Sequence, residues 1–497
     1  MVLPSYRQCW SKLKNSSSDP EMIARLAGQV AASFLDGFLQ DGSYSGDHIA
    51  LLCEMSTAEA DPRLTQPAAR ALFGIIIERL CDEFEGLPAE FYNRVMAQVI
   101  SFCRRLPAGQ SLDRGLIEAG IHRQEDIVER MARIGTCENR LRPDRPPRKI
   151  FVLSRATIGA DIAVTSVILQ RMKGTFPASE LVLVGNEKCK QIFGGFEALE
   201  FAPVNYTRHG GVFERLDSWH QTRRIISGSS NAENGRKVFV IDPDSRLSQL
   251  GLLPLVPDER YFYFNSRSGD AGNQRLSMGA LTNNWLDLVS GQAAFCYPGL
   301  WPAGKDRRAA AEFCRQLQKT GARRLIAVNF GVGGNLRKKV GQPFELRLLN
   351  RLLEEPDTIV LLDKGFGEEE SSNTGWLMER MQKQGHQVHA SDIDTPPRVR
   401  PGCGLIGLHL NIGQLAALID NCDEYIGYDS AGQHMAAALS VPSVTVFAGS
   451  NSMRFIRRWT ALGPGSRHVV HVDTLTDPAA IDFDDVIGRV MTARGRA

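Results

Sequence analysis

The sequence predicts an α/β protein in which an all-helical unit precedes two units built on parallel sheets. The chain has 497 residues, enough for two to four domains at roughly 150 residues each. From Pro20 to about Gly135, apolar residues recur at helical spacing. Beyond Lys149, short runs rich in Val, Ile and Phe alternate with amphipathic helical segments. This alternation is typical of a parallel α/β sheet.

The helical unit is predicted to contain four to six packed helices and no strand. Its helices include MIARLAGQVAASFLDGFL, PAARALFGIIIERLCDEF and FYNRVMAQVISFCRRL. The stretch CENRLRPDRPPRK follows, with three prolines and five Arg or Lys residues, a composition that favours an extended, solvated linker. We therefore predict a boundary near residue 147, and a first unit that folds on its own.

Two α/β units of similar size follow the linker. In the first, KIFVLSR, ELVLVG, KVFVIDPD and YFYFNS are predicted strands, with DIAVTSVILQRMKGTF and GVFERLDSWHQTRRIIS as crossover helices. In the second, the predicted strands are RLIAVNF, TIVLLDKG, EYIGYDS and SVTVFAG. The predicted units are residues 1–147, 148–305 and 306–475, with a C-terminal helix in 476–497.

The composition argues against several classes of function. The formal net charge is +2, so no general electrostatic attraction to nucleic acid is expected. The ten cysteines form no C-x-x-C pair, so we predict no metal site and no cofactor. No run of about 18 apolar residues or secretory signal is apparent. We predict a cytoplasmic protein without a nucleic-acid partner, and a peripheral membrane contact stays open.

The first motif that could carry chemistry is SRATIGAD, where a predicted strand ends and a helix begins. A glycine there allows close approach of a ligand, and the free N–H groups of the helix start favour polar oxygens. Asp161 would lie in the first helical turn and face this crevice, with Arg155, Thr157 and Gly159 beside it. Because Asp is also a good helix-start residue, a purely structural role stays open.

The second motif is NFGVGGNLRKK, where a predicted strand runs into a glycine-rich loop and a basic cluster. Glycine-loop N–H groups can hold phosphate oxygens, and Lys or Arg beside them supplies charge. The motif matches neither the P-loop nor the dinucleotide fingerprint, and a solvated surface loop is the alternative. The candidate anion-binding residues are Asn329, Gly331, Gly333, Gly334, Lys338 and Lys339.

The third motif is EYIGYDSAGQHMAAALSVPSVTVFAG, in which a strand delivers polar residues to the carboxyl edge of its sheet. Open α/β sheets bind ligands at that edge. With no second His or carboxylate four residues on, the His is predicted to be a hydrogen-bonding residue rather than a metal ligand. The candidate residues are Asp429, Ser430, Gly432, Gln433 and His434.

The first and third motifs together resemble the ADP-heptose lipopolysaccharide heptosyltransferase family, glycosyltransferase family nine. The opening motif of that family has the form R-x-x-x-x-G-D with a Thr four residues after the Asp, and Arg155, Asp161 and Thr165 keep this spacing. One departure is Ala160, which replaces the family glycine, while Gly159 stands one position earlier. The resemblance covers roughly residues 149–475.

The closing motif of the family is D-[ST]-G-x-x-H-x-A-A-A. The residues that match it are Asp429, Ser430, His434, Ala436, Ala437 and Ala438. Ala431 and Gly432 replace its Gly-x. DKGFGEEE, with Glu368, resembles the family's acid-rich phosphate or ribose loop. NLRKKVGQPFEL resembles its K-x-W-P segment but lacks Trp-Pro, which leaves open whether Lys338 or Lys339 is the phosphate-binding lysine.

The resemblance implies a GT-B fold, with two Rossmann-like domains facing a cleft, and a metal-independent, inverting sugar transfer. The donor would be a nucleotide sugar, with ADP-heptose favoured, and the acceptor a hydroxyl of a glycan, a lipid-linked glycan or a protein. Asp161 would be the general base. The second α/β unit would bind the donor, and Arg155, Thr157 and Gly159 would lie on the acceptor side.

Two alternatives stay open at this stage. One is a nucleotide-sugar epimerase on the same scaffold, because a fold does not fix a function. The other is a non-catalytic binding or assembly protein. The helical unit has no counterpart in the simple family members, and we expect it to recognise the acceptor or a partner.

Overall fold

Two parallel sheets organise the chain beyond residue 148. The computed structural model describes residues 3–15, 19–58, 61–136, 139–142, 144–230, 238–267, 275–395 and 402–495. In the first sheet, of order β3-β2-β1-β4-β5, the strands are β1 Lys149–Leu153, β2 Glu180–Gly185, β3 Leu199–Pro203, β4 Val238–Asp242 and β5 Tyr261–Tyr263. All of its strand pairs are parallel.

The second sheet has the order β12-β11-β10-β6-β7-β9-β8. Its strands, all paired in parallel, are β6 Arg324–Asn329, β7 Thr358–Asp363, β8 Val388–Ser391, β9 Gly404–Leu408, β10 Glu424–Tyr428, β11 Ser443–Phe447 and β12 Arg467–His471. The predicted α/β class, with two parallel sheets after a helical region, is confirmed.

Four strands were absent from the sequence prediction. Strands β3, β8 and β12 lie at sheet edges, and most of their residues are only partly buried. Because an edge strand buries few side chains, it lacks the apolar run that marks a central strand. Strand β9, GLIGL, is buried throughout, but its two glycines weaken the strand signal.

Helices connect the strands and cover both sheets. Those of the α/β region are Ile158–Ala160, Asp161–Thr165, Ser166–Thr175, Glu187–Phe193, Val212–Ser230, Met278–Ser290, Gly304–Lys319, Gln342–Leu353, Gly367–Lys383, Ile412–Ile419, Ala431–Ala438, Met453–Trp459 and Phe483–Arg494. Asp161–Thr165 is a π-helical turn within a longer helix. The C-terminal helix Phe483–Arg494 packs on the second sheet, and Arg494 forms ion pairs with Glu355 and Glu424.

The first 136 residues are helical where the structure describes them. The helices are Leu3–Asn15, Pro20–Asp41, Gly46–Thr57, Pro62–Arg70, Ala71–Ile77, Glu78–Asp82, Gly86–Cys103, Gln110–Glu118 and Gln124–Gly135. Within the described part of the chain, Pro20–Asp41 alone is long and apolar enough to cross a membrane. Its apolar residues include Ile23, Val30 and Phe34, which pack into the core of the helical unit.

The helical unit shares one hydrophobic core with the first α/β unit. Phe34, Leu72 and Val95 belong to the same buried cluster as Phe151 and Leu153 of strand β1. The helices therefore cover one face of the first sheet, and the expectation that they fold on their own is not supported. A chain that begins near Arg148 would expose this sheet face, so we no longer expect it to keep donor binding.

The predicted linker is also anchored to the first α/β unit. Leu141 is buried and donates its backbone N–H to the Val289 carbonyl at 2.7 Å. Asn139 donates its side-chain amide to the Asp258 carbonyl at 2.7 Å. Its prolines and arginines favoured a solvated segment, but these two long-range contacts fix its path, and sequence composition carries no information about them.

A substitution at the contact between Gly115 and Trp219 tests whether the helical unit packs tightly on the first α/β unit. A Cβ on Gly115 would lie 2.7 Å from the Trp219 ring, and Trp219 is fully buried with its Nε1 donating to the Pro254 carbonyl at 2.8 Å. We expect Gly115→Ala to lower the free energy of unfolding by about 1–3 kcal/mol, the cost of overpacking. Gly74→Ala is the matched control, because its Cβ would meet no atom within 4 Å. Equal effects in urea unfolding would show that the helices do not pack tightly on Trp219.

Candidate functional site

The two α/β units meet where strands β1 and β10 end. Helix Ile158–Ala160 follows β1, and the start of helix Ala431–Ala438 follows β10. A Cβ on Gly159 would lie 3.1 Å from His434 Cδ2 and 3.4 Å from Ala431 Cα. Glycine therefore allows the first and third sequence motifs to lie in direct contact. This contact supports the prediction that the two motifs belong to one site.

Asp161 is fully buried at this junction. Its Oδ1 accepts from the Arg155 backbone N–H at 2.7 Å and from Thr165 Oγ1 at 2.8 Å, and its Oδ2 accepts from Ser154 Oγ at 2.8 Å. Burial raises the pKa of Asp161, although these hydrogen bonds act in the opposite direction. The carboxylate thus fixes the turn between strand and helix, and a substrate could reach it only after the two units separate.

The acceptor-side candidates surround this turn. The Arg155 guanidinium lies 5.9 Å from the centre of the Trp459 ring, and its Nη2 lies 3.9 Å from Asp244 Oδ2. Its Nη1 is buried without a hydrogen-bond partner among the described residues. Thr157 is exposed. Ala156 has φ +66°, a left-handed conformation that is uncommon outside glycine and often found at functional sites.

Asp244 was missed as a site residue, although the sequence places it just after strand β4 in KVFVIDPD. It is buried and accepts hydrogen bonds from Tyr263 Oη at 2.6 Å and Ser266 Oγ at 2.7 Å. Burial alone would raise the pKa of Asp244, but Arg267 and Arg155 outweigh it and hold the pKa below its ordinary value. Its position beside a predicted strand end was the available signal.

The structure distinguishes the two candidate lysines. Lys338 Nζ donates to Asp429 Oδ2 at 2.6 Å, and Gln433 Nε2 donates to Asp429 Oδ1 at 2.6 Å. This arrangement joins the second and third motifs. Lys339 lies one residue on, and its charge acts on Glu345. Lys338 is therefore the lysine that reaches the start of helix Ala431–Ala438, whose first residue follows Ser430.

The glycine loop is organised around a carboxylate that the sequence did not single out. Glu370 accepts from the Val332 N–H at 3.0 Å, the Gly333 N–H at 3.2 Å and the Phe366 N–H at 2.8 Å. The Gly331 N–H donates to Asn329 Oδ1 at 2.9 Å. These amides therefore already hold anionic or polar oxygens, as predicted for a phosphate cradle, but here the oxygens are the protein's own.

The remaining donor-side candidates lie around this loop. Gly334 has φ +83° and open space beside its Cα. Glu368 is exposed in the first turn of helix Gly367–Lys383. A Cβ on Gly432 would lie 2.1 Å from Tyr425 Oη, so only glycine fits where the helix crosses this ring.

His434 is buried, and its ring meets Trp459 edge-on with 6.2 Å between the ring centres. Burial lowers the pKa of His434 from 6.5 to about 4. The folded protein therefore keeps this ring neutral at neutral pH. This fits the predicted hydrogen-bonding role, and the role itself stays a prediction.

The pKa of His434 predicts a pH dependence of stability. Between pH 6.5 and 4 the unfolded chain takes up a proton that the folded chain does not, so the folded state loses stability as the pH falls through this window. Relative to His434→Gln, the unfolding free energy of the native protein should fall by up to ~1.4 kcal/mol per pH unit. Parallel pH profiles in urea unfolding would contradict a buried neutral histidine.

Two further observations concern metal binding and a cavity away from the site. No group of three or more His, Cys, Asp or Glu residues that could hold a metal ion occurs among the described residues. A cavity of about 550 Å³ lies at the opposite ends of the strands and is lined by Arg323, Arg324, Glu355, Pro356, Thr358 and Asp423. It shares no residue with the three sequence motifs and is the competing location for a ligand.

Comparisons with known proteins agree with the sequence motifs. Residues 395–478 match glycosyltransferase family 9 (heptosyltransferase). Lipopolysaccharide heptosyltransferase 3 of Escherichia coli (strain K12) is 32% identical over 96 residues, which are 17% of this chain and 27% of that protein. The chain therefore spans about a quarter of the length of that curated relative. The predicted family resemblance is confirmed, and the matched segment contains the third motif.

Similar solved structures include two transferases. The glycosyl transferase family 9 protein from Veillonella parvula DSM 2008 is 17% identical, covers 70% of this chain and 98% of its own, and has a TM-score of 0.49. The E. coli ADP-heptose lps heptosyltransferase II is 14% identical, covers 70% of this chain and 100% of its own, and has a TM-score of 0.46.

Proposed function

We propose that the chain is a glycosyltransferase that moves a sugar from a nucleotide-sugar donor to a hydroxyl of a glycan acceptor, with an ADP-heptose-like donor favoured. The observation that carries this proposal is the contact of Lys338 with Asp429 at the start of helix Ala431–Ala438. This group lies at the carboxyl ends of strands β6 and β10, where open α/β sheets bind ligands. The family match over residues 395–478 includes Asp429 and helix Ala431–Ala438, while Lys338 lies before the matched segment.

The departing nucleoside diphosphate requires positive charge. Lys338 Nζ and the free N–H groups at the start of helix Ala431–Ala438 supply it, because both stabilise negative oxygens that develop as the sugar leaves. Asp429 orients Lys338, and Gln433 orients Asp429. A diphosphate would compete with Asp429 for the lysine.

The acceptor hydroxyl must lose a proton as it attacks the anomeric carbon. We propose Asp161 as the general base, on the acceptor side of the cleft. Because Asp161 is fully buried and its turn packs against helix Ala431–Ala438 of the second unit, the proposal requires an open state in which the contact of Gly159 with His434 is broken. Closure around bound substrates would then exclude water from the donor.

A thermal-shift panel tests the donor class. A ligand that binds only the folded protein raises its stability by RT ln(1 + [L]/Kd). We expect ADP and ADP-heptose to raise the melting temperature more than UDP, GDP or their sugars. No shift with any nucleotide sugar would instead favour a non-catalytic binding protein. A changed sugar nucleotide formed without an acceptor would favour an epimerase.

The proposal includes an inverting reaction that needs no metal. The described carboxylates and lysines can supply both the base and the charge for the diphosphate, so the chemistry is complete without an ion. Transfer should therefore persist in excess EDTA. The anomeric configuration of the product, read from its NMR coupling constants, tests inversion.

A further inference from the structure

Asp82 places a carboxylate of the helical unit beside the proposed donor site. It ends helix Glu78–Asp82 and follows Cys81, which is buried in the core shared with the first sheet. The Asp82 side chain itself remains exposed. Its backbone is therefore fixed by the core, while its carboxylate is accessible to a ligand.

Two residues later the chain contacts the second α/β unit. The ring of Phe84 lies 6.4 Å from Phe455 and 6.3 Å from Trp459, measured between ring centres. Arg454 Nη1 lies 2.9 Å from Glu85 Oε1 and donates to the Phe84 carbonyl at 3.0 Å. The helical unit thus bridges both α/β units at this point.

The same contact brings Asp82 near Lys338. Lys338 Nζ lies 5.5 Å from the centre of the Phe455 ring, which is the ring that Phe84 packs against. Trp459, the second ring under Phe84, also meets His434 and Arg155. The chain around Asp82 therefore lies beside the place where the first and third motifs meet.

The charges around Asp82 come from all three units. The cations that act on its carboxylate are Arg246, in the turn after strand β4, Lys338 and Arg208, while Glu78 acts in the opposite direction. The surrounding protein nevertheless raises the pKa of Asp82 to about 6 through desolvation.

We propose that Asp82 accepts a hydrogen bond from a hydroxyl of the donor sugar, so that the helical unit forms part of the donor site. The inference rests on the proposed function. With the diphosphate at Lys338, the sugar must project toward the first α/β unit, where the acceptor binds. Asp82 stands two residues before Phe84, whose partner ring Phe455 lies 5.5 Å from Lys338 Nζ. Carboxylates suit this task because ionised acceptors form the stronger hydrogen bonds.

Calorimetric titration of the full chain with ADP and with ADP-heptose tests the inference. We expect Asp82→Asn to weaken ADP-heptose binding by about 10- to 100-fold, the range for a hydrogen bond to a charged group. Binding of ADP, which has no sugar at this position, should stay within about twofold. Glu83→Gln is the matched control, because Glu83 pairs with Arg79 at 4.0 Å on its own helix, and it should change neither affinity.

Each other outcome has a distinct meaning. Equal weakening of ADP and ADP-heptose would show that Asp82 acts through Lys338 or the fold, and would overturn the inference. Unchanged binding of both ligands to Asp82→Asn would overturn it as well. If the native protein binds neither ADP nor ADP-heptose, the proposed function is wrong, and the inference, which rests on it, is wrong as well. Asp82→Ser, which also removes the charge, provides the same comparison if the Asn variant does not fold.

Discussion

Asp161→Asn should lower the turnover of sugar transfer by about 10²- to 10⁴-fold, the usual contribution of a general base. Asparagine keeps the shape of the side chain but cannot accept the proton of the acceptor hydroxyl. Binding of ADP should change little, because Lys338 and the start of helix Ala431–Ala438 lie in the other unit. Steady-state kinetics with ADP-heptose, together with calorimetry for ADP, separate the two effects.

The buried position of Asp161 offers a competing explanation, which a second variant tests. Thr165 Oγ1 donates to Asp161 Oδ1 at 2.8 Å, so Thr165→Val removes one of its hydrogen bonds and keeps the carboxylate. If Asp161 only fixes the turn, both variants should lose about 1–3 kcal/mol of stability and keep turnover per folded molecule. A large loss of turnover in Asp161→Asn alone supports the base.

Lys338→Ala should weaken ADP binding by roughly 10- to 150-fold, the equivalent of about 1.5–3 kcal/mol for a charge-assisted hydrogen bond. The lysine would place its positive charge opposite the diphosphate. Its Nζ lies 2.6 Å from Asp429 Oδ2, and this contact holds it at the start of helix Ala431–Ala438. Turnover should also fall, because the charge that develops on the leaving group would lose its stabilising partner.

Lys339→Ala is the control for this prediction, since the neighbouring lysine has the same charge and lies in the same loop, but its charge acts on Glu345. Its ADP affinity should remain within about twofold of the native value. Calorimetric titration measures both variants. Equal losses would mean that the two lysines contribute only general positive charge, and a loss confined to Lys339→Ala would move the diphosphate to the other lysine.

The sequence predicted the residues whose position depends on local pattern. Asp161 and Asp429 each follow a central strand, and the parallel-sheet rule places such residues at one edge. The apolar runs of β1, β6 and β10 were readable because both of their faces are buried. The contact of Gly159 with His434 follows from the same topology, although the sequence could not give its distance.

The sequence reasoning did not identify the residues that long-range packing brings to the site. Asp82 and Phe84 belong to a helical segment with no ligand motif, and their importance depends on how that unit docks. Trp459 gains its place from contacts with Phe84, His434 and Arg155, which lie in three different units. Glu370 is one of three consecutive glutamates. The sequence does not distinguish them, and only the geometry of the glycine loop shows which one accepts its hydrogen bonds.

The shared core argues against the predicted independent folding of the helical unit. Its amphipathic helices indicated an apolar face, but periodicity does not say which surface covers that face. The structure shows that the first sheet covers much of it, through residues such as Phe151 and Leu153. An unusually basic, proline-rich boundary in the sequence therefore marks a change of secondary structure and not a separation of cores.

Hydrogen–deuterium exchange of the full chain with and without ADP-heptose tests the central claim most directly. The account predicts slower exchange in residues 334–338 and 430–434, at the carboxyl ends of strands β6 and β10, when the donor is bound. Slower exchange confined to the segments that line the cavity at Arg323, Arg324 and Glu355, or no change at all, would contradict a donor site at the meeting of the three motifs.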